Sequence, residues 1–174
     1  MTTYSIGIDP GWKNAGVALV ENNDGKLKLV HSATLNPSIL SDKERCSVVL
    51  SELTSKVPIE LISSVGIERY VAYKGVHTAD SEKIIMLIGG LVERVNIESQ
   101  GKCGILLYRA VDWKVALVKQ LAKYRGFSNP SDSLDKKFSI AAARACLDSP
   151  GTFRTDHEAD AICISSIKHI QQRS

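Results

Sequence analysis

The chain reads as an α/β protein, a mixed sheet with helices on both faces. Three observations point there. Short apolar runs joined by a hairpin signal open the chain. Two more strand-like runs follow singly. Segments with apolar residues at helical spacing separate and follow them. With 174 residues, 44% hydrophobic and 24% charged, the chain has the composition of a globular protein able to bury a core. One domain over 1–174 is the expected organisation.

The elements follow in order. Tyr4, Ile6 and Ile8 alternate with Ser5, Gly7 and Asp9, which is strand periodicity, and Pro10-Gly11 breaks it. Ala15 to Val20 is a second apolar run. Asn22-Asn23-Asp24-Gly25 then gives a hairpin signal, because Gly and Asn tolerate positive φ. Leu27, Leu29 and His31 form the partner strand, and Ser32 to Leu35 reads as an addition toward a third. Ser41-Asp42-Lys43-Glu44 has the form of a capping box. Behind it Cys46, Val49, Leu50, Leu53 and Val57 fall on one helical face, closed by Pro58. Ile62 to Ile67 is a strand with Glu68 at its exit. Val71 to Ala79 is a loop, and Asp80 opens a long helix with Ile84, Leu87, Ile88, Leu91, Val92 and Val95 inward. Gly89-Gly90 within it costs about 1 kcal/mol per Gly relative to Ala, which suggests close approach of another backbone, or a kink. Gly104 to Tyr108 is a strand. Helices are expected over 112–124, 133–147 and 155–171, with a loop over 126–131 and a turn at Asp148-Ser149-Pro150-Gly151.

Composition excludes several classes. A net charge of +3 permits a nucleic-acid partner without arguing for one, so any such binding must come from local clusters of Lys and Arg. Cys46, Cys103, Cys146 and Cys163 form no Cys-x-x-Cys pair and lie in apolar runs, so they read as small core residues in a reducing setting. No stretch is long and charge-free enough to span a bilayer, and a patterned strand begins where a signal peptide would stand. The expected location is cytoplasmic, with no membrane partner.

Acidic residues carry the functional signal. Asp9 ends one strand, Glu68 ends another, and Asp156-His157-Glu158-Ala159-Asp160-Ala161 opens the last helix. An acid at the end of a buried strand is expensive unless paired, hydrogen-bonded or metal-bound. Simpler roles exist for each: Asp9 can cap the turn at Pro10-Gly11, and Glu68 can pair with Arg69 or Lys74. Thr155 and Glu158 fit a helix-start capping box. That box leaves His157 and Asp160, three apart on one helical face, unexplained. The small Ala159 and Ala161 beside them would leave room for a substrate backbone, though Ala is also simply a good helix former. Carboxylates gathered this way suit hard divalent cations that do phosphoryl chemistry.

In this combination the chain resembles RuvC-type Holliday junction resolvases, a branch of the RNase H-like nuclease superfamily. Ile6-Gly7-Ile8-Asp9-Pro10-Gly11, with Gly16 and a strand behind it, resembles the family's first catalytic strand and hairpin. Ile67-Glu68-Arg69, a loop with Lys74 and the helix from Asp80 resemble its second acidic strand and long helix. Arg109 to Val118 resembles a segment that brings a lysine toward DNA, with Lys114 as the match. Lys136 or Lys137 stands where another basic residue opens a helix, and His157-Glu158-Ala159-Asp160-Ala161 resembles the C-terminal helix.

The resemblance implies an RNase H-like mixed five-stranded sheet and a metal-dependent endodeoxyribonuclease that cuts four-way (Holliday) junctions by paired symmetric nicks. Asp9, Glu68, His157 and Asp160 are then both catalytic and metal-ligating. Two ions would share the site, with Asp9 bridging, Glu68 on one, and Asp160 with His157 on the other. Mg²⁺ suits the oxygen ligands, and Mn²⁺ suits a site with an imidazole as well. His157 stands where some members have aspartate, so ligand and positioning base both remain open for it. Tyr70, Tyr73, Lys74, Arg109, Lys114, Lys119, Lys136 and Lys137 are the DNA-contact candidates. The two tyrosines would stack on unpaired bases or pack beneath their loop. A two-fold junction needs two active sites, which predicts a C2 homodimer with the long helix as interface. A branch-migration helicase and a nucleoid-associated location follow from the same resemblance.

The family's aromatic wedge would fall at Val71, flanked by Tyr70 and Tyr73. That keeps open a nuclease of the same fold acting on flaps, other branched DNA or RNA–DNA hybrids, with a phage-type resolvase of relaxed specificity between the two. A sugar kinase or actin-like ATPase shares the opening strand and hairpin, but 174 residues leave little room for its second domain. A non-catalytic DNA-binding scaffold would be expected to have lost acids that are present here.

Overall fold

The computed structural model describes residues 2–71, 79–125, 136–149 and 151–172. Its elements are β1 (Thr2–Asp9), β2 (Ala15–Asn23), β3 (Lys26–Leu35), α1 (Asp42–Thr54), β4 (Ile62–Arg69), α2 (Ala79–Glu98), β5 (Gly104–Arg109), α3 (Ala110–Arg125), α4 (Lys136–Cys146) and α5 (Asp156–Gln172). The five strands form one mixed sheet in the order β3-β2-β1-β4-β5. The β1–β2 and β2–β3 pairs are antiparallel, and β1–β4 and β4–β5 are parallel.

Local sequence explains most of these boundaries. The turn from β2 to β3 runs through Asp24 (φ 50°) and Gly25 (φ 86°), the double positive φ of a tight hairpin. Asn22 Oδ1 accepts from the Gly25 N–H at 2.9 Å. The third strand is continuous rather than two pieces. Leu19 pairs with His31 and Val20 with Leu29, so Val30 is an extra residue in a bulge that carries the pairing on to Leu35. The capping box of α1 forms, with Ser41 N–H donating to Glu44 Oε2 at 3.2 Å. That helix ends at Thr54, earlier than Pro58 suggests, yet Val57 remains buried in the turn beyond.

Residue alternation divides the sheet into two unlike faces. Ile6, Ile8, Val17, Leu19, Val65 and Ile67 meet α1 and α2 residues such as Val49, Leu53, Leu87 and Leu91 in one core. On the other face, Ala18, Val20, Trp113, Leu117, Ala142, Ala161 and Ile164 form a second core with α3, α4 and α5. There β1 and β4 present the small residues Ser5, Gly7, Ser64 and Gly66.

Those small residues let α5 lie almost on the backbone of the sheet. A Cβ on Gly7 would overlap the carbonyl oxygen of Ala161, and one on Gly16 that of His157. A Cβ on Gly66 would sit 2.8 Å from Ile164 Cγ2. Ala159 and Ala161 are fully buried, so their small size serves the contact with the sheet, not a passing substrate. Gly90 of α2 meets a side chain rather than a backbone, since its Cβ would stand 2.6 Å from Cys46 Sγ. Nothing lies within 4 Å of a Cβ at Gly89, and α2 runs in one piece through both glycines.

The far end of α5 is held by a buried polar network. His169 Nε2 is 2.6 Å from Ser5 Oγ, and its Nδ1 is 2.9 Å from Asn22 Nδ2. With the Asn22 amide donating to Nδ1, Nε2 carries the proton and donates to Ser5.

The helix seating yields a stability prediction. Gly16→Ala should destabilise the protein by about 3 kcal/mol or more, because the obstacle is helix backbone and not a yielding side chain. Gly89→Ala, which meets nothing, should be neutral or stabilising by up to about 1 kcal/mol. Urea denaturation of both variants checks this pair.

Candidate active site

Strand polarity assembles the site. β1 and β4 are parallel neighbours with Ile8 opposite Ile67, so Asp9 and Glu68 leave the sheet side by side at its C-terminal end. By alternation both carboxylates point to the face that carries α5. The first turns of that helix bring in His157 and Asp160, and the second turn of α3 brings in Lys114 behind Trp113.

Helix α5 starts where its capping residues predict, and one contact departs from the simple box. Thr155 Oγ1 accepts from the Glu158 N–H at 3.1 Å. The Glu158 carboxylate is buried and turns to Ser32 Oγ, 2.7 Å away on β3, as well as to Thr155 Oγ1 at 3.3 Å. Thr155 Oγ1 also meets Thr34 Oγ1 at 2.6 Å. These contacts tie the start of α5 to the sheet.

The acids do not stand alone. His157 Nδ1 donates to Asp9 Oδ2 at 2.9 Å. That bond, with the charges of Asp9, Asp156 and Asp160, raises the imidazole pKa against the opposing effect of burial. Trp113, wholly buried, donates its indole N–H to Glu68 Oε2 at 2.8 Å. Burial first and the Asp9 charge second push the Glu68 pKa up to about 7, while the indole bond and Lys114 pull it down. Burial also raises the pKa of Asp160, opposed by Lys114 and Ser139. Lys114 Nζ is 3.8 Å from Asp160 Oδ2 and lies 5.0 Å from the centre of the Trp113 ring. Among the described residues, the buried Asp160 Oδ1 has no hydrogen-bond partner.

The donor chemistry fits a hard divalent cation. Three carboxylates share a partly buried space, one oxygen has no partner, and mutual repulsion with burial holds Glu68 near half-protonation at neutral pH. A cation relieves each of these penalties at once. Among the described residues, no group of three or more His, Cys, Asp or Glu side chains is already drawn into ligating positions. The carboxylates are instead paired off with His157, Trp113 and Lys114.

The remaining candidates fall elsewhere. Tyr70 is half-buried against the α1–α2 core, with its hydroxyl 2.7 Å from Ser81 Oγ. Arg109 is exposed and holds Asp112 in a two-pronged bond at 2.6 and 2.7 Å. Lys119 is exposed on α3. Lys136 and Lys137 open α4. Tyr73 and Lys74 lie outside the described residues, as does the loop expected over 126–131. Sequence reasoning missed Trp113. The available signal was a tryptophan inside an apolar helix face, since a buried indole N–H needs an acceptor and acids are the natural ones.

No protein-family model matches the chain. A curated relative does: the crossover junction endodeoxyribonuclease RuvC of Roseiflexus sp. (strain RS-1) is 32% identical over 165 residues, spanning 94% of this chain and 88% of that one. The chain belongs to the RuvC family. Solved structures agree on the fold. T. thermophilus RuvC in complex with a Holliday junction substrate superposes with a TM-score of 0.68 at 19% identity, covering 98% of this chain and 95% of that one. A second Thermus thermophilus RuvC structure gives 0.66 at 21% identity, covering 99% and 96%. The yeast mitochondrial Holliday junction resolvase Ydc2 gives 0.54 at 14%, covering 97% and 78%. The RuvC family is one of metal-dependent nucleases, in keeping with the donor set. Its five-stranded mixed sheet is the one expected from the resemblance.

Glu68 generates a prediction with a defined sign. Its folded pKa, about 7, exceeds the ordinary 4.5, so the metal-free folded state holds a proton that the unfolded state has lost. Its contribution to stability is therefore present below about pH 4.5 and is lost as pH rises to about 7. Glu68→Gln should stabilise the chelator-treated protein at pH 8 by roughly 1–3 kcal/mol while removing nuclease activity. Added divalent cation should raise the wild-type melting temperature far more at pH 8 than at pH 5. Thermal melts across pH, with and without cation, read both effects.

Proposed function

We propose that this protein resolves four-way DNA junctions by paired symmetric nicks. The observation that carries the reading is the meeting of Asp9, Glu68, His157 and Asp160 at one end of the β1–β4 pair. An open cleft of about 170 Å³, lined by Asp9, Pro10, Gly11, Glu68, Tyr70 and Ile84, stands beside them. Asp9, Glu68 and Asp160 would hold two Mg²⁺ ions, with Mn²⁺ as a substitute, and the ions would stabilise the attacking and leaving oxygens of the phosphodiester. His157 orients Asp9 through its Nδ1–H, and Trp113 fixes one oxygen of Glu68, whose side chain lines the cleft. Lys114 compensates Asp160.

Selectivity on this reading comes from DNA shape and backbone contacts. Lys119, Lys136, Lys137, Arg109 and Lys74 supply the cations, Lys114 stays with Asp160 at the site, and Tyr70 and Tyr73 flank the wedge position. The protein acts as a single 1–174 domain in a C2 homodimer, serves a branch-migration helicase, and works in the cytoplasm at the nucleoid. The α2 surface supports the dimer. Ile85, Met86 and Ile97 are 51%, 70% and 65% exposed on the solvent side of α2, apolar positions set among the exposed Glu93, Arg94 and Asn96, a mixed surface suited to self-pairing. No helix among the described residues is long and apolar enough to cross a membrane. One observation favours a broader branched-DNA or hybrid nuclease: the wedge position is Val71, 40% exposed, rather than an aromatic.

Two experiments test this. End-labelled four-way junction, flap, duplex and RNA–DNA hybrid are incubated with Mg²⁺ or Mn²⁺ and wild-type or Asp9→Asn protein. Paired nicks in the junction alone, absent in the variant, are expected; cleavage of flap or hybrid in preference to the junction would discard the resolvase reading. Ile85→Glu with Ile97→Glu should shift sedimentation from dimer to monomer and uncouple the two nicks.

A further inference from the structure

Trp12 has no place in the chemistry above, yet it sits three residues from Asp9 in the β1–β2 loop and is only half-buried. Three residues reach at most about 11 Å, so the indole stands within a few nucleotides of a phosphate at the acids. Arg45 of α1 lies over its ring with Cζ 4.2 Å from the centroid, and Lys83 of α2 places Nζ 5.0 Å away. Together with Cys46, Met86 and Gly90 these residues line a cavity of about 500 Å³ between α1 and α2. Among the described residues, its lining holds two cations, Arg45 and Lys83.

Along the chain, the lining of this cavity adjoins that of the catalytic cleft. The cleft is walled by Gly11 and Ile84, and the cavity by their chain neighbours Trp12 and Lys83. The absence of a side chain at Gly90 keeps the floor open beside Cys46. The two cations differ in freedom. Arg45 is anchored by its Nε–H to the Pro37 carbonyl at 2.9 Å. Lys83 has a solvent-exposed partner, Asp80, at 3.6 Å, a weak surface pair that an incoming phosphate can replace. An indole stacked by an arginine, with a lysine close over the same ring, combines the aromatic surface and the phosphate-binding cations that recognise single-stranded nucleic acid. Of the two tyrosines expected for that role, Tyr70 is turned into the core, and Tyr73 lies outside the described residues.

We propose that the Trp12–Arg45–Lys83 cavity is a nucleotide subsite. It takes an unpaired base of the bound DNA strand on the indole, with the adjoining phosphate on Lys83 and Arg45. The inference rests on the nuclease reading above and adds the element that holds an opened base. It makes Trp12 the stacking residue where the wedge position offers Val71.

Binding in chelator tests it, with a labelled four-way junction and a labelled single-stranded oligonucleotide as separate probes. Trp12→Ala should weaken both by about tenfold, and Trp12→Phe should recover most of the loss. Lys83→Gln should lower the slope of log affinity against log salt by about one. Trp113 is fully buried, so iodide quenching reads Trp12, and bound DNA should protect it. Unchanged affinity in Trp12→Ala for both probes, or an indole still open to iodide in the complex, would overturn the subsite. So would a Trp12→Ala protein that sediments as monomer where the wild type is a dimer, which would assign the cavity to a second copy. Wild-type protein that binds single strands but shows no preference for the junction would sink the resolvase reading instead, and the single-strand comparison would still decide the subsite.

Discussion

The close seating of α5 on the β1–β2–β4 part of the sheet is the constraint on which the rest depends. Ser5, Gly7, Gly16, Ser64 and Gly66 clear the space, and no bulkier residue could stand at Gly7 or Gly16 without lifting the helix. The acids come from two sources, strand ends and a helix start, with Asp160 92 residues from Glu68 and 151 from Asp9 in sequence. Their separation in space is set by the helix-to-sheet distance. The same glycines that weaken the strands locally are what give the catalytic groups their common location.

The site runs against stability, and its surroundings limit the damage. Burial, with the charge of Asp9 behind it, raises the pKa of both Glu68 and Asp160. His157, Trp113 and Lys114 each take one acid as partner, so the metal-free protein keeps its shape without neutralising the site. Two of these pairings are incomplete: among the described residues Asp160 Oδ1 has no partner, and burial still holds the Glu68 pKa up at about 7. That residual strain favours a divalent cation over the protein's own groups.

Much of this was legible beforehand. Strand alternation with an acid at the exit located Asp9 and Glu68, and Thr155 with Glu158 marked the start of α5. The order of elements predicted a mixed sheet with two helical faces. What was not legible depends on distance through space. Gly16 reads as one more glycine in a strand until His157 is seen against it. Ala159 and Ala161 suggested room for a substrate because sequence cannot say which neighbour needs the room. Lys114 reads as a surface lysine aimed at phosphates, yet it turns inward, because an acid in a shielded site attracts a cation more strongly than solvent holds one. Arg109 is engaged by Asp112, three residues on, a spacing that could have been noticed. The apparent break before Ser32 vanishes because a bulge at Val30 absorbs one residue.

The buried His169–Ser5–Asn22 network lies at the opposite end of α5 from the acids, and its consequence is mechanical. Glu158 and Thr155 clamp the helix at its start, and His169 clamps it at its end, so α5 is a bar fixed at both supports. A slip of one residue along its axis would move Asp160 by about 1.5 Å and swing it by roughly 100°. Tolerances for holding a metal are tighter than that. Alignment at one end of the molecule is thus secured by hydrogen bonds at the other, much as a lens is centred by the rim of its mount.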